Sequence, residues 1–230
     1  MPRLARKHQL QDNVIYHIIN RANRKAEIFH DDEDYEQFRK ILIKYKNNRG
    51  LKIYHYCIMS NHYHLEVELP SPEELSSIMA GINRTYSHYY HAKYNTSGYL
   101  WQGRFKSIAM QKDEHILECG RYIENNPVEA KIVKHAEDYA YSSARYYVSG
   151  IEDDVVTQDR FYFFFGQNDQ EQRKNYGQFL RQECPSQKEK YENGEKVLGN
   201  RDFKRKMISK QGRWVPARRG NKSGTNTFVT

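Results

Sequence analysis

The sequence of 230 residues has little that would place it in a membrane or outside the cell. No apolar run approaches the roughly 20 residues that a helix needs to cross a bilayer. The three cysteines, Cys57, Cys119 and Cys184, form no CxxC pair, which argues against both a disulfide framework and a cysteine zinc site. The first residues are basic with no apolar segment behind them, so no signal peptide is indicated. We therefore expect a cytoplasmic protein with no membrane partner.

Acidic residues are nearly absent from the C-terminal segment 201–230. It contains nine Lys and Arg residues, among them Arg205, Arg213 and Arg218, against the single acid Asp202. The net charge of the chain is +8, so this tail carries all of it and the rest is neutral overall. A basic tail on a neutral body is typical of proteins that bind a polyanion, nucleic acid first. The alternative is a solubilising tail with no specific partner.

The first 150 residues alternate between strand patterns and helix patterns. Runs of β-branched and aromatic residues predict strands at 14–20, 51–59, 63–69 and 104–110. Apolar residues at helical spacing predict helices at 34–48, 73–94 and 113–125, the last with Asp113 as its N-cap. The β-α-β-β-α-β-α order predicts an α+β fold, a ferredoxin-like sandwich with an antiparallel sheet.

The composition changes after Gly150, which suggests three parts. We predict a main domain at 1–148 and a small helical appendage at 149–200, whose aromatic cluster at 161–165 docks on the main domain. A polar helix is predicted within it at 170–183. The basic tail at 201–230 has almost nothing to bury, so we expect it to be disordered unless bound.

Two histidines, His62 and His64, stand two residues apart at the start of the third predicted strand. Side chains at this spacing project from the same face of a strand, so the imidazoles lie close together, as a bidentate metal site requires. In a chain with ten histidines this could also be a chance pair on a solvent face. The apolar residues around it indicate a central strand instead, where buried histidines need partners.

A second candidate element is the helix that carries Tyr122 and Asn126, which lie four apart on one helical face. Here the chain resembles a known family. Residues 54–65 are similar to the histidine-hydrophobic-histidine (HUH) region of the single-tyrosine HUH transposases, especially the REP-associated tyrosine transposases. Residues 121–128 resemble that group's tyrosine helix, and 16–21 with 28–29, and 100–105, resemble two further blocks. The middle residue of the HUH motif, Tyr63, is a mild departure because it is only partly hydrophobic.

The resemblance implies a metal-dependent single-stranded DNA endonuclease and strand transferase in residues 1–148. By this resemblance it would act at hairpin-forming repeats, as a nucleoid-associated monomer or homodimer. Tyr122 would be the nucleophile and would keep a 5′-phosphotyrosine. His62 and His64 would bind Mg²⁺ or Mn²⁺, with Asn126 as third ligand one turn after the tyrosine. A metal is needed because a tyrosine is only about 0.1% ionised at neutral pH and a phosphodiester repels anions.

The third ligand has two alternatives. Asn126 could instead be the N-cap of a short helix, with Pro127 at N1 and Glu129 at N3. Glu66 shares the strand face of the histidines by parity and is the other candidate ligand. The sequence leaves the choice open.

Basic and amide residues near strand ends are the candidates for DNA contact, because such donors hold phosphates and extruded bases. They are Arg21, Arg24, Lys25, Arg104 and Lys106, together with Arg205, Arg213 and Arg218 of the tail. Two rival functions remain. One is a non-catalytic nucleic-acid-binding module on the same sheet, and the other is a metal-dependent hydrolase that uses an activated water.

Overall fold

Five strands of the described chain form one sheet. The computed structural model describes residues 14–111, 114–182, 191 and 197–210. The strands are β1 (Ile15–Arg21), β2 (Lys52–Met59), β3 (His62–Glu68), β4 (Lys106–Met110) and β5 (Val197–Leu198). Their spatial order is β2-β3-β1-β4-β5; the first four pair antiparallel, whereas β5 runs parallel to β4.

The helices follow in the predicted order and complete the α+β fold. They are α1 (Asp32–Arg49), α2 (Leu75–Tyr94), α3 (Glu114–Glu124), α4 (Asn126–Glu129), α5 (Asp169–Arg181) and α6 (Arg201–Lys210). The fold-class prediction is therefore confirmed, with a fifth strand added to the sheet. Asp113, the expected N-cap of α3, lies outside the described residues. No helix in the described part of the chain combines the length and apolarity that a membrane span requires.

Helices cover both faces of the sheet, which is why its central strands are buried on both sides. Tyr16 and Ile18 pack in one core cluster with residues of α1 and α2, such as Phe38 and Ile82. The alternate residues of the same strands pack in a second cluster with Ile116, Cys119 and Ile123 of α3. The alternation along β1 and β3 thus separates a purely structural face from the face beneath α3, where the site lies.

The appendage is continuous with the main core. Tyr162, Tyr176 and Leu180 belong to the same buried cluster as the sheet, so the predicted docking of aromatics holds for Tyr162. Phe163 and Phe164 of the same run are exposed instead.

The expected disorder of the tail is wrong for residues 201–210, which form α6. The physical reason is Met207, whose fully buried side chain joins the main core cluster and anchors the helix. Arg205 lies exposed on this helix. Arg213 and Arg218 lie outside the described residues.

Candidate active site

The two histidines of the HUH motif lie side by side on β3, on the face beneath α3. Their ring centroids are 5.0 Å apart with an interplanar angle of 73°. His64 is fully buried in the middle of the sheet, while His62 is half-buried at the strand end. Tyr63 lies on the opposite face, where its hydroxyl donates to Asn83. The strand therefore brings the two imidazoles together as the spacing predicts.

Each imidazole is held by a hydrogen bond at Nδ1. The Nδ1 of His62 lies 2.6 Å from Oδ1 of Asn61, the residue before it in the β2–β3 turn. The Nδ1 of His64 lies 3.0 Å from Nε2 of His17 on β1. Because Nδ1 is used in both rings, Nε2 is the nitrogen that each would offer to a metal. Metal-binding histidines usually keep such an outer hydrogen bond on their other nitrogen.

Tyr122 lies against the imidazole of His64. The helix α3 buries the stripe formed by Ile116, Cys119 and Ile123 on the sheet, and this orientation carries Tyr122 to the histidines. Its ring meets that of His64 edge-on, with centroids 5.7 Å apart at 81°. On its other side it stacks on Tyr191, with centroids 4.8 Å apart at 26°. Tyr122 is thus placed next to His64, one of the two histidines of the motif.

Asn126 does not act as the N-cap of α4. That position belongs to Asn125, and Asn126 is the first residue of the helix. The side-chain Nδ2 of Asn126 instead donates to the carbonyls of Tyr122, at 2.8 Å, and Ile123, at 3.2 Å. The N-cap interpretation is therefore wrong, because α4 follows α3 directly and the amide faces the carbonyl end of α3.

The donor atoms present suit a divalent metal. Because Nδ2 of Asn126 is engaged, the amide oxygen Oδ1 is the atom that Asn126 would offer to a metal held by His62 and His64. Two nitrogens and an amide oxygen are acceptable to Mn²⁺, and to Mg²⁺ with more water or phosphate ligands. Among the described residues, no three His, Cys, Asp or Glu side chains are grouped to hold a metal. Glu66 thus does not complete a site with the histidine pair, and that alternative is not supported.

Sequence patterns missed a row of buried polar residues across the sheet. His55 on β2, Glu66 on β3 and His17 on β1 are paired in register, and all three are fully buried. Burial lowers the pKa of His17 to about 3 and raises the pKa of Glu66 well above its usual 4.5. The alternation of each strand gives the faces, but only the register between strands reveals that these residues are neighbours.

The end of α3 is tied into this row by Glu124. Its carboxylate accepts hydrogen bonds from three buried groups: Nδ1 of His55 at 2.9 Å, the Ser143 hydroxyl at 2.6 Å and the Tyr176 hydroxyl at 2.8 Å. Tyr176 belongs to α5, so the appendage contacts the tyrosine helix directly. Asn125 adds a second contact by donating to the carbonyl of Leu180 at 2.9 Å.

The predicted DNA-contact residues of the main domain gather at the end of the sheet that carries His62. Arg21 ends β1 and is paired in register with His62. Arg24 and Lys25 follow in an exposed turn with φ values of 53° and 58°, and Asn61 donates through Nδ2 to the carbonyl of Lys25. The loop before β4 contains the exposed Arg104. It is joined to β1 by a backbone hydrogen bond, which Gln102 N–H donates to the carbonyl of Arg21. Exposed Lys106 begins β4.

The fold and site define an α+β protein whose sheet carries a pair of imidazoles, one of which contacts a tyrosine on a covering helix. Residues 10–126 match the profile of the family described as "Transposase IS200 like", and the chain belongs to this family.

Two relatives agree with this assignment. The chain is 24% identical over 139 residues to a REP-associated tyrosine transposase of Escherichia coli (strain K12), an alignment that covers 60% of this chain and 80% of that protein. A solved structure of a REP-associated tyrosine transposase bound to a REP hairpin superimposes with a TM-score of 0.55. Its identity is 23%, and the match covers 69% of this chain and 93% of that chain, so this likeness shows the fold. The predicted family resemblance is confirmed.

Proposed function

We propose that this chain is a metal-dependent endonuclease and strand transferase for single-stranded DNA, with Tyr122 as nucleophile. The observation that carries the proposal is the packing of the Tyr122 ring against the His64 ring, with centroids 5.7 Å apart. His64 in turn lies beside His62, the other imidazole of the motif. The hydroxyl of a helix-borne tyrosine and a metal clamp on a strand are the two groups that such chemistry needs.

In the proposed reaction the Tyr122 hydroxyl loses its proton and attacks phosphorus, and the bond from phosphorus to the 3′ oxygen breaks. The products are a 5′-phosphotyrosine and a 3′-hydroxyl, which takes up a proton. A divalent ion held by His62, His64 and Asn126 would neutralise the non-bridging oxygens and polarise phosphorus. Because the phosphotyrosine conserves the bond energy, a 3′-hydroxyl can reverse the step and join a new strand without ATP.

The proposed substrate is a hairpin-forming repeat with a short single-stranded flank. This rests on the described ligand of the solved relative, a REP hairpin. It also rests on the basic residues at the His62 end of the sheet, Arg21, Arg24, Lys25, Arg104 and Lys106. Phosphate contacts of this kind position a nucleic acid, and they do not specify its sequence.

The test is covalent capture. Wild type, Tyr122→Phe and Tyr139→Phe are incubated with a labelled hairpin oligonucleotide and Mn²⁺, and adducts are separated on a denaturing gel. Tyr139 is a matched control, because it is a buried tyrosine of the same cluster with its hydroxyl on the Ile58 carbonyl. We expect adducts with wild type and Tyr139→Phe, none with Tyr122→Phe, and equal binding in native gels.

Each rival function predicts a different gel. An adduct with Tyr122→Phe would assign the nucleophile to another residue. Cleavage by wild type without an adduct would favour the hydrolase, and binding without cleavage would favour the non-catalytic module.

A further inference from the structure

The outer partner of His64 is itself a histidine that the proposed mechanism leaves unused. His17 and His64 are fully buried, and their rings are nearly parallel at 17°. Only one proton can lie on the 3.0 Å line between Nε2 of His17 and Nδ1 of His64, so one nitrogen donates and the other accepts.

Metal binding decides the direction of this hydrogen bond. A His64 ring that coordinates through Nε2 must carry its proton on Nδ1, and it therefore donates to His17. The Nε2 of His17 must then be the acceptor, which places the proton of His17 on its Nδ1.

That proton needs an acceptor, because a buried donor without one is destabilising. Within the described part of the chain, neither Nδ1 of His17 nor the two carboxyl oxygens of Glu66 have a hydrogen-bond partner. The two residues face each other directly in the register of β1 and β3. A carboxyl oxygen can accept in either protonation state, by a small rotation or through one bridging water.

We propose that Glu66 and His17 are positioning residues that orient His64 through a hydrogen-bonded relay from Glu66 to His17 to His64. The relay fixes the tautomer and the ring plane of His64, so that Nε2 is presented at the site. This rests on the proposed function, since it assigns a role to residues behind the metal clamp. His62 has a separate outer partner, Asn61, so the two imidazoles are oriented independently.

The relay is tested by the affinity for Mn²⁺ of the full-length protein without DNA, measured by the electron paramagnetic resonance signal of free Mn²⁺. His17→Leu and Glu66→Leu remove the relay, and each should weaken Mn²⁺ binding about 10- to 100-fold, as loss of an outer partner does. The controls are His17→Gln and Glu66→Gln. In both variants the Gln amide supplies an oxygen that accepts and an N–H that donates, so both should stay within a few-fold of wild type.

Melting temperature separates the relay from a merely structural role. In the metal-free protein His17 can donate through Nε2 to His64, so that its Nδ1 carries no proton. Glu66→Leu then removes a buried carboxyl without leaving a donor unpaired, and its melting temperature should hold or rise while its Mn²⁺ affinity falls. A double variant, His17→Leu with Glu66→Leu, should bind Mn²⁺ no more weakly than His17→Leu alone, because a broken relay cannot be broken twice.

The outcomes distinguish the relay from the function on which it rests. If both Leu variants bind Mn²⁺ like wild type while His62→Ala and His64→Ala do not, the relay is overturned and the proposed function stands. Melting temperatures that fall in the Leu variants with unchanged Mn²⁺ affinity also overturn it. If wild type cleaves DNA but binds no Mn²⁺, both proposals fail.

Discussion

His55 donates from Nδ1 to the Glu124 carboxylate over 2.9 Å, and this fully buried pair joins β2 to the last residue of α3. The second nitrogen of His55 lies 3.6 Å from the Asp159 carboxylate, which precedes the aromatic run of the appendage. Because Glu124 follows Tyr122 by two residues, the pair fixes the helix end that carries the proposed nucleophile. The appendage therefore stabilises the position of α3 as well as the core.

This pair predicts a dependence of stability on pH. Burial alone would lower the pKa of His55, but the charge of Glu124, its hydrogen bond and the nearby Asp159 carboxylate raise the pKa from 6.5 to about 10. The pKa is higher in the folded state, so the stabilisation is complete below about pH 6.5 and is lost as the pH rises through about 10. His55→Gln should therefore be less stable than wild type by the largest margin at about pH 6.5, and this difference should shrink as the pH rises towards 10. Urea unfolding across this range measures the difference.

The control for His55 is the exposed His88 on α2, since His88→Gln removes a histidine with no buried partner. The difference in unfolding free energy between His88→Gln and wild type should be small throughout. Parallel pH profiles for wild type and His55→Gln would show that no charged His55 is present in the folded protein.

A second prediction concerns the close approach of α3 to the sheet. A Cβ added at Gly120 would lie 2.7 Å from the His55 ring, which the paired carboxylates hold in place. Gly-to-Ala changes inside helices normally stabilise by about 1 kcal/mol. Here we expect the opposite, a loss of about 1–3 kcal/mol from overpacking, with slower cleavage because Tyr122 shifts. Thermal melts and single-turnover rates measure both effects.

Gly103→Ala is the matched control for stability, because nothing lies within 4 Å of a Cβ at that position. It should melt within a degree or two of wild type. A Gly120→Ala protein that is as stable and as active as the control would mean that α3 can move without consequence.

The third prediction separates two roles of Asn126. Its Nδ2 donates to the carbonyls at the end of α3, and its Oδ1 is the proposed ligand atom. Asn126→Asp keeps an oxygen but loses the donor, so it should lose about 1 kcal/mol of stability and retain its Mn²⁺ requirement. Asn126→Ala removes both the donor and the oxygen, so it should lose similar stability and also need more Mn²⁺ for cleavage. The readouts are melting temperature and the Mn²⁺ concentration for half-maximal cleavage, and an unchanged half-saturation in Asn126→Ala would remove Asn126 from the metal site.

The features that depend on residue spacing within one strand or helix could be predicted from the sequence. The contacts that depend on how two elements pair could not. The faces of His62 and His64, and the helical stripe of α3, follow from periodicities of two and 3.6 residues. His17 could not be found this way, because its neighbours Glu66 and His64 are defined by the register between β1 and β3. Capping rules likewise misassigned Asn126, since its partner is the preceding helix.

Very short elements were missed for a different reason. β5 has two residues and no periodicity of its own, and it forms because it pairs with Ala109 and Met110 on β4 and accepts a hydrogen bond from the backbone N–H of Gln111, just after β4. The helix α6 is longer, but its polar sequence conceals the buried anchor Met207. Whether such segments form a strand or a helix depends on tertiary contacts more than on local propensity.

The last prediction concerns the basic tail, which must now be divided at Lys210. Residues 201–210 are part of the fold, so Met207→Ala should destabilise the protein by about 2–5 kcal/mol, as truncation of a buried methionine does.

Removing residues 211–230 deletes four basic side chains, Arg213, Arg218, Arg219 and Lys222. Each phosphate neutralised on a single strand contributes about −0.7 to the slope of log affinity against log salt. If half of the four engage DNA, the slope should flatten by roughly 1.4, with unchanged melting and unchanged cleavage at saturating protein. Titrations at several salt concentrations test the slope. A truncated protein that cleaves faster at saturation would show that the tail inhibits the site, and an unchanged slope would show that these four side chains do not bind DNA.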